Sequence, residues 1–319
     1  MTLFQRRSAV MTSDRLRRMV ISAMFLALAL IIRTLFRTYI PLFGESGLRI
    51  SVHGIFSVMP AILFGPVYGA IVSGLTDFIG FHLSPTGAFI PQLTLTAALG
   101  GFVRGALWMF LRKGSTTVMR IVVLALSIVF IAVGGGNMAA LSADGVNRDF
   151  YEAYTDGTIE NAAGQTVPHV DRERIDTTGM FWISRMAVTR SINANNPANV
   201  LDEFLTLMTV TTFGAGAFGL LLVLMDWMAN KFLIKDKASM QTMPLLLALM
   251  IPAVLISTIN TEILRHTAFP SWQLLPFSVV WLPRVMQTMA TTTLITYFVA
   301  MLLGVCKNQP HLREWIKLK

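Results

Sequence analysis

Six apolar runs, each long enough to cross a lipid bilayer as a helix, constrain this chain more than any other feature. They extend over Met19–Ile40, Phe89–Leu111, Val118–Ala140, Leu205–Ala229, Met243–Leu264 and Leu274–Val305. At about 1.5 Å of rise per residue, each meets or exceeds the ~30 Å hydrocarbon thickness. A backbone inside lipid must satisfy its own polar groups, so such runs are helices or parts of a closed barrel, and their length favours helices. Composition agrees: the chain of 319 residues is 54% hydrophobic, only 13% charged and has a mean hydropathy of +0.62. A soluble domain carries about a quarter charged residues. The expectation is an all-α integral membrane protein.

Ile50 to Leu83 breaks the pattern. Its core, MPAILFGPVYGAIVSGLTDFIGF, is apolar on both sides of Phe64-Gly65-Pro66 and then places Asp77 among Ile, Val, Leu and Phe. Glycine and proline together stop a helix and start another, so this stretch reads as two short helices. The total becomes about eight membrane helices.

The net charge of +9 sits beside the ends of the runs, which argues against a nucleic-acid surface. Arg6, Arg7, Arg15, Arg17, Arg18, Arg112, Lys113, Arg120, Lys231, Lys235, Lys237, Lys307, Arg313, Lys317 and Lys319 fall on one side, whereas only Arg33, Arg37, Arg49 and Arg265 fall on the other. The positive-inside bias then predicts a cytoplasmic segment 1–18, helices over 19–111, an inserted helix pair over 112–242, the last two helices over 243–305 and a cytoplasmic tail 306–319. The polar stretch 141–203 inside the insertion is expected to be extracytoplasmic. The first run is about twenty residues long and has no small-x-small cleavage pattern, so it reads as a retained helix. Cys306 is the only cysteine, which excludes a disulfide within the chain.

Small residues recur at four-residue spacing in Ala23 and Ala27, in Gly65, Gly69 and Ser73, and in Ala97, Gly101 and Gly105. The second and third sets predict close helix packing, because lipid supplies no hydrophobic drive and backbone approach must hold helices together. Ala23 and Ala27, near the cytoplasmic end of the first helix, are equally suited to a docking partner.

The intramembrane polar residues fall at one depth. His53, Asp77, His82, Gln92, Thr94, Thr96, Asn260, Thr261, Glu262, Arg284 and Gln287 all lie in the outer third. Ionisable groups in spans face an interior or a wet cavity and pair with one another, which makes Asp77 and Arg284 natural partners. Together with short, proline-interrupted helices, this predicts a polar pocket open to the outside. Pro85, Pro91 and Pro270 would stiffen the connections at its mouth. No GxxxxGK[ST], HExxH or GxSxG pattern occurs, so neither an ATPase loop nor a catalytic constellation is expected, and no metal or cofactor. Energy for transport would have to come from an ion gradient or another chain.

Four stretches, LRISVHGIFSVMPAILFGPVYGAIVSGLTDFIG, PTGAFIPQLTLTAALGGFVRG, INTEIL and LPRVMQ, resemble the substrate-binding S components of energy-coupling factor (ECF) vitamin transporters, especially the folate type. The resemblance implies a six-helix receptor with both termini in the cytoplasm that captures a vitamin from outside. It further implies a transmembrane coupling subunit, met through the Ala-x-x-x-Ala pattern of Ala23 and Ala27, and two cytoplasmic ATPase subunits. The loops that close the site would be Pro41 to Arg49, His82 to Phe89 and His266 to Trp272. The inserted helix pair, and His53 where an apolar or aromatic residue is expected, depart from the pattern.

The resulting expectation is a non-enzymatic capture subunit in the cell membrane for folate or a related heteroaromatic vitamin. Arg49, His53, Asp77, Phe89, Thr94, Asn260, Thr261, Arg284 and Gln287 are its candidate substrate contacts. Asp77 and Asn260 would read a pterin-like edge, Arg284 and Arg49 would pair with ligand carboxylates, and aromatic groups such as Phe81, Phe89, Trp272 and Tyr39 would stack. Two alternatives stay open: an S component for another vitamin or a queuosine-like precursor, and a free-standing transporter using Asp77, His53 and Arg284 as a proton relay.

Overall fold

The computed structural model describes residues 3–36, 38–42, 45–50, 52–85, 87–142, 158–160, 166–168, 197–228, 242–269, 272–273 and 277–308. Eight helices are described: α1 (Leu3–Leu35), α2 (Gly54–Phe64), α3 (Pro66–Leu83), α4 (Pro91–Leu111), α5 (Thr116–Ser142), α6 (Pro197–Met228), α7 (Thr242–Thr267) and α8 (Phe277–Asn308). Six of them are long and apolar enough to span a membrane. The protein is an all-α integral membrane protein carrying two short antiparallel hairpins, β1 (Thr38–Leu42) with β2 (Glu45–Ile50) and β3 (Thr158–Glu160) with β4 (Thr166–Pro168).

The first hairpin corrects the boundary of the first span. Helix α1 stops at Leu35, and Ile40, expected inside the helix, lies in β1 opposite Leu48. Pro41 favours extended backbone at Ile40, because a residue before proline is pushed out of the helical region. The segment expected as a closing loop, Pro41 to Arg49, is therefore largely strand.

The expected break at Phe64-Gly65-Pro66 is present. Gly65 has φ +98°, and its N–H donates to the carbonyl of Ala61, closing α2. Pro66 opens α3 at the first helical position, where its missing N–H costs nothing. A side chain at residue 65 would be strained by that φ. At about 1.5 Å per residue the 11 residues of α2 reach only about half the bilayer thickness.

The chain forms two compact units, residues 1–119 with 230–319, and residues 120–229. In the first, α2 is the central piece. Its N-terminal residue Gly54 lies against Ile295 of α8, and Ala61 packs on Gly69 of α3. Ile55, Val58, Met59 and Ile62 of α2 form one buried cluster with Leu245 and Leu249 of α7 and Val299, Ala300 and Leu303 of α8. These residues come from the start of α7 and the end of α8. The apolar core thus fills the end of the bundle opposite the β1–β2 hairpin.

Helices α3 and α4 meet through glycine. A methyl group on Gly101 would overlap the carbonyl oxygen of Gly69 and come within 2.5 Å of the Ser73 hydroxyl, and one on Gly105 would lie 2.6 Å from Cα of Pro66. The opposite face of α4 exposes Leu95, Leu99, Phe102 and Phe110, which is the composition a lipid-facing surface requires.

The second unit is built around the α5–α6 seam. Ser127 of α5 fits against Gly216 and Gly219 of α6, and Gly134 against Thr212 and Phe213. Arg120 Nε donates to the carboxylate of Asp226 at 2.6 Å, and Asp226 is buried. Of the stretch 141–203, residues 143–157, 161–165 and 169–196 lie outside the described residues. Residues 197–203 extend α6.

Candidate functional site

At the hairpin end of the first unit, polar side chains from five helices are bonded across helix boundaries. The first group begins on α1. Arg33 donates through Nη1 to the carbonyl of Thr76 and through Nη2 to Oδ1 of Asp77, both at 3.0 Å. The other carboxylate oxygen of Asp77 accepts from the Thr94 hydroxyl of α4 at 2.9 Å. The arginine reaches α3 because residue 80 is glycine: a Cβ there would stand 2.5 Å from Nε of Arg33. Side-chain exposure is 7% for Arg33 and 25% for Asp77, so the acid keeps an accessible edge while its partner is sealed between helices.

This geometry corrects the expected pairing of Asp77 with Arg284. The carboxylate is held by Arg33 and Thr94, and Arg284 donates instead from Nε to the Thr261 hydroxyl at 3.0 Å. Arg33 had been assigned to the outer connection because the charge-bias rule counts basic residues near span ends without asking which way they face. Its place on α1, six residues after Ala27 and on a helix otherwise apolar around it, is the available signal.

The second group lies between α4, α7 and α8. The Thr96 hydroxyl meets Oδ1 of Asn260 at 2.6 Å. One residue further along α7, Thr261 receives Arg284, Ser257 accepts from Thr288 at 3.1 Å, and Thr258 accepts from the Trp281 indole at 2.8 Å. Thr94 and Thr96 stand two residues apart, on different faces of α4. That helix therefore carries both groups, one toward α3 and one toward α7. Gln287 lies one turn beyond Arg284 on α8, half-buried. His53 immediately precedes α2, also half-buried, at the level where the central helix begins.

The connections add aromatic and cationic groups. Phe89 packs with Phe78, Phe81 and His82 at ring-centroid separations of 5.7, 5.2 and 5.5 Å. Trp272 is fully buried, with the Arg284 guanidinium 5.8 Å from its ring centroid, a cation–π distance. No acceptor meets its indole N–H among the described residues. Arg265 fixes this connection by donating to the carbonyls of Trp272 and Gln273 at 3.0 and 3.1 Å. Arg49 pairs with Tyr39 across the hairpin, and its side chain lies outside the described residues. Elsewhere, Ala23 and Ala27 are both exposed on α1, in line with exposed Met19, Val20, Met24, Leu28 and Ile31. Among the described residues no cluster of His, Cys, Asp or Glu has the arrangement of a metal site.

Such an arrangement can read a polar, partly aromatic molecule: acceptors on Asp77 and Asn260, donors on Arg284 and Trp272, and rings around Phe89. Of the proposed relay residues Asp77, His53 and Arg284, Asp77 is bonded to Arg33 and Thr94 rather than to Arg284.

Part of the chain is similar to known proteins. Residues 17–153 match the model of the ECF transporter substrate-specific component. The match covers less than half of the chain, which is similar to that family over those residues. The match takes in the second half of α1 and all of α2 to α5, with Ala23, Ala27, Asp77 and Thr94 among the residues covered. The folate transporter FolT of Clostridium novyi (strain NT) is 33% identical over 86 residues, which is 27% of this chain and 48% of that protein. The chain thus spans about half the length of the curated relative it matches. No solved structure matches.

Proposed function

We propose that this chain is the substrate-capture subunit of an ATP-driven ECF importer and that it binds folate or a closely related heteroaromatic vitamin from outside the cell. The observation that carries the proposal is the meeting of Arg33, Asp77, Thr94, Thr96, Asn260, Thr261 and Arg284 at one end of the bundle, in a chain similar over part of its length to a protein named a folate transporter. Polar groups inside a membrane are costly and mark a path or a site. In this reading Asp77 and Asn260 offer acceptors to the amino and imino edge of a pterin, and Arg284 takes a ligand carboxylate. Phe89 and Trp272 flank the rings, while His53 and Gln287 line the base. Arg49, a residue of β2, is a further candidate contact.

Both termini are then cytoplasmic, and the exposed face around Ala23 and Ala27 docks a transmembrane coupling subunit that two cytoplasmic ATPases drive. The test is purification from a vitamin-replete host followed by mass spectrometry of the co-purifying small molecule. A retained pterin, lost on Asp77→Ala and Arg284→Ala in variants that still fold, is the expected result. Retention of an unrelated compound would overturn the folate assignment. Uptake by the chain alone in vesicles under a pH gradient would overturn the ECF mechanism.

A further inference from the structure

The inward face of α4 carries a charge that no pairing among the described residues explains. At about 100° per residue, Arg104 projects between Gly100 and Gly101 on the helix wheel, and Thr96, Gly100, Gly101 and Gly105 around it are all buried. The lipid-facing side of α4, marked by Leu95, Leu99, Phe102 and Phe110, is on the other side. The side chain folds back toward the hairpin end: Nη2 lies 3.8 Å from the position a Cβ on Gly100 would take, and Ile256 of α7 lies 3.1 Å from that same point. Gly100 therefore leaves room for the guanidinium on the α4–α7 seam, one turn from the Thr96–Asn260 pair. Among the described residues Arg104 has no hydrogen bond or ion pair.

Yet Arg104 is only half-buried. The surface it keeps belongs to a side chain set on the inward face of α4, beside Gly100 and Ile256 of α7. A guanidinium at this depth requires an anion, a set of acceptors or water. Lipid phosphate is a poor match, because the side chain points into the bundle and away from Leu111, the end of α4 nearest the opposite membrane surface.

We infer that Arg104 is the deep anchor of the capture site, presenting its planar fork to a pair of adjacent acceptors on the ligand. This rests on the reading of the chain as a capture subunit. Two parts of a folate-like molecule supply that chemistry: a carboxylate, or a carbonyl oxygen beside an unprotonated ring nitrogen of the heteroaromatic head. A fork matches either one bidentately, whereas a lysine ammonium at the same place would not.

Two measurements on the full-length protein test the inference. First, folic acid affinity is measured for the parent, Arg104→Ala and Arg104→Lys, with thermal unfolding as the check on folding. Arg104→Ala is expected to weaken binding about ten- to a hundredfold and Arg104→Lys to recover part of the loss. Repeating the titrations with p-aminobenzoyl-glutamate and with a pterin lacking the glutamyl tail assigns the contact: the penalty persists with whichever fragment holds the acceptors. Folded variants with unchanged affinity for all three probes would overturn the inference.

Second, Arg104→Cys in a Cys306→Ala background is exposed to a small, membrane-impermeant thiol reagent from the outside. Labelling is expected, and its absence would also overturn the inference. This readout needs no knowledge of the ligand. Labelling of the Arg104→Cys variant, where the parent protein binds no folate, would sink the folate reading while keeping Arg104 on the wall of the chamber.

Discussion

The two units of this protein use intramembrane polarity in opposite ways. In the helix pair α5–α6, the buried acid Asp226 is matched by Arg120 across a single seam, and Ser127 fills the space left by Gly216 and Gly219. In the six-helix unit, Asp77 keeps an accessible edge, the indole of Trp272 meets no acceptor among the described residues, and Arg104 retains surface inside the bundle. Polarity that closes on itself holds helices together. Polarity left open at one depth, contributed by several helices, is available to something else.

That contrast can be broken or sharpened by mutation. The largest effect is expected at neither polar group. Replacing Ala23 and Ala27 by tryptophan should abolish ATP-dependent uptake in vesicles containing the whole importer while folic acid affinity holds, because both positions are exposed on α1. A parallel fall in affinity with uptake per bound ligand preserved would remove the docking role. Next, Asp226→Ala strands a cation beside a buried site and should cost about 3 kcal/mol of stability, read as a lower unfolding temperature. Its folic acid affinity should stay within about twofold of the parent, as for sites that share no partners. Any larger loss of binding would mean that the two units do not divide the work as described.

Smaller effects probe the six-helix unit itself. Asp77→Asn retains the Thr94 contact but removes the charge opposite Arg33, and a drop in folic acid affinity of about tenfold is expected from isothermal titration. Gly80→Ala should move the same joint indirectly, since its methyl group would collide with Arg33. A destabilisation of about 1–3 kcal/mol is expected from such overpacking. The smallest change is expected for Thr96→Val, which loses one neutral hydrogen bond to Asn260, worth about 1 kcal/mol or roughly a fivefold shift in affinity. An effect exceeding that of Asp77→Asn would place the centre of recognition on the α4–α7 seam.

Much of the bundle was legible because its signals are local. Gly65-Pro66 announces the break between α2 and α3 whatever surrounds it, and the glycines of α3 and α4 announce a close approach because small residues have little other use at that spacing. The depth of Asp77, Asn260 and Arg284 follows from counting residues along spans. Partnership was not legible, because depth fixes one coordinate and leaves the angle around the bundle open. Asp77 and Arg284 share a depth, but α4 and α7 stand between the helices that carry them. Arg33 wins the carboxylate because Gly80 lets it lie against α3, a fact that only the packed pair α1 and α3 reveals. Arg104 was hidden by its surroundings, since it reads as an interruption of a glycine stripe until the wheel shows which way it faces. The hairpin β1–β2 was obscured by an apolar run that continues past the last helical turn.

The half-length central helix carries a consequence for how such a receptor can change. Because α2 fills only the part of the bundle where α7 begins and α8 ends, the foundation and the cargo hold are separate storeys of one building. Exchange of residues upstairs can retune what is carried without disturbing the masonry beneath, so chimeras that swap the hairpin and the two flanking connections should inherit a new passenger and still fold.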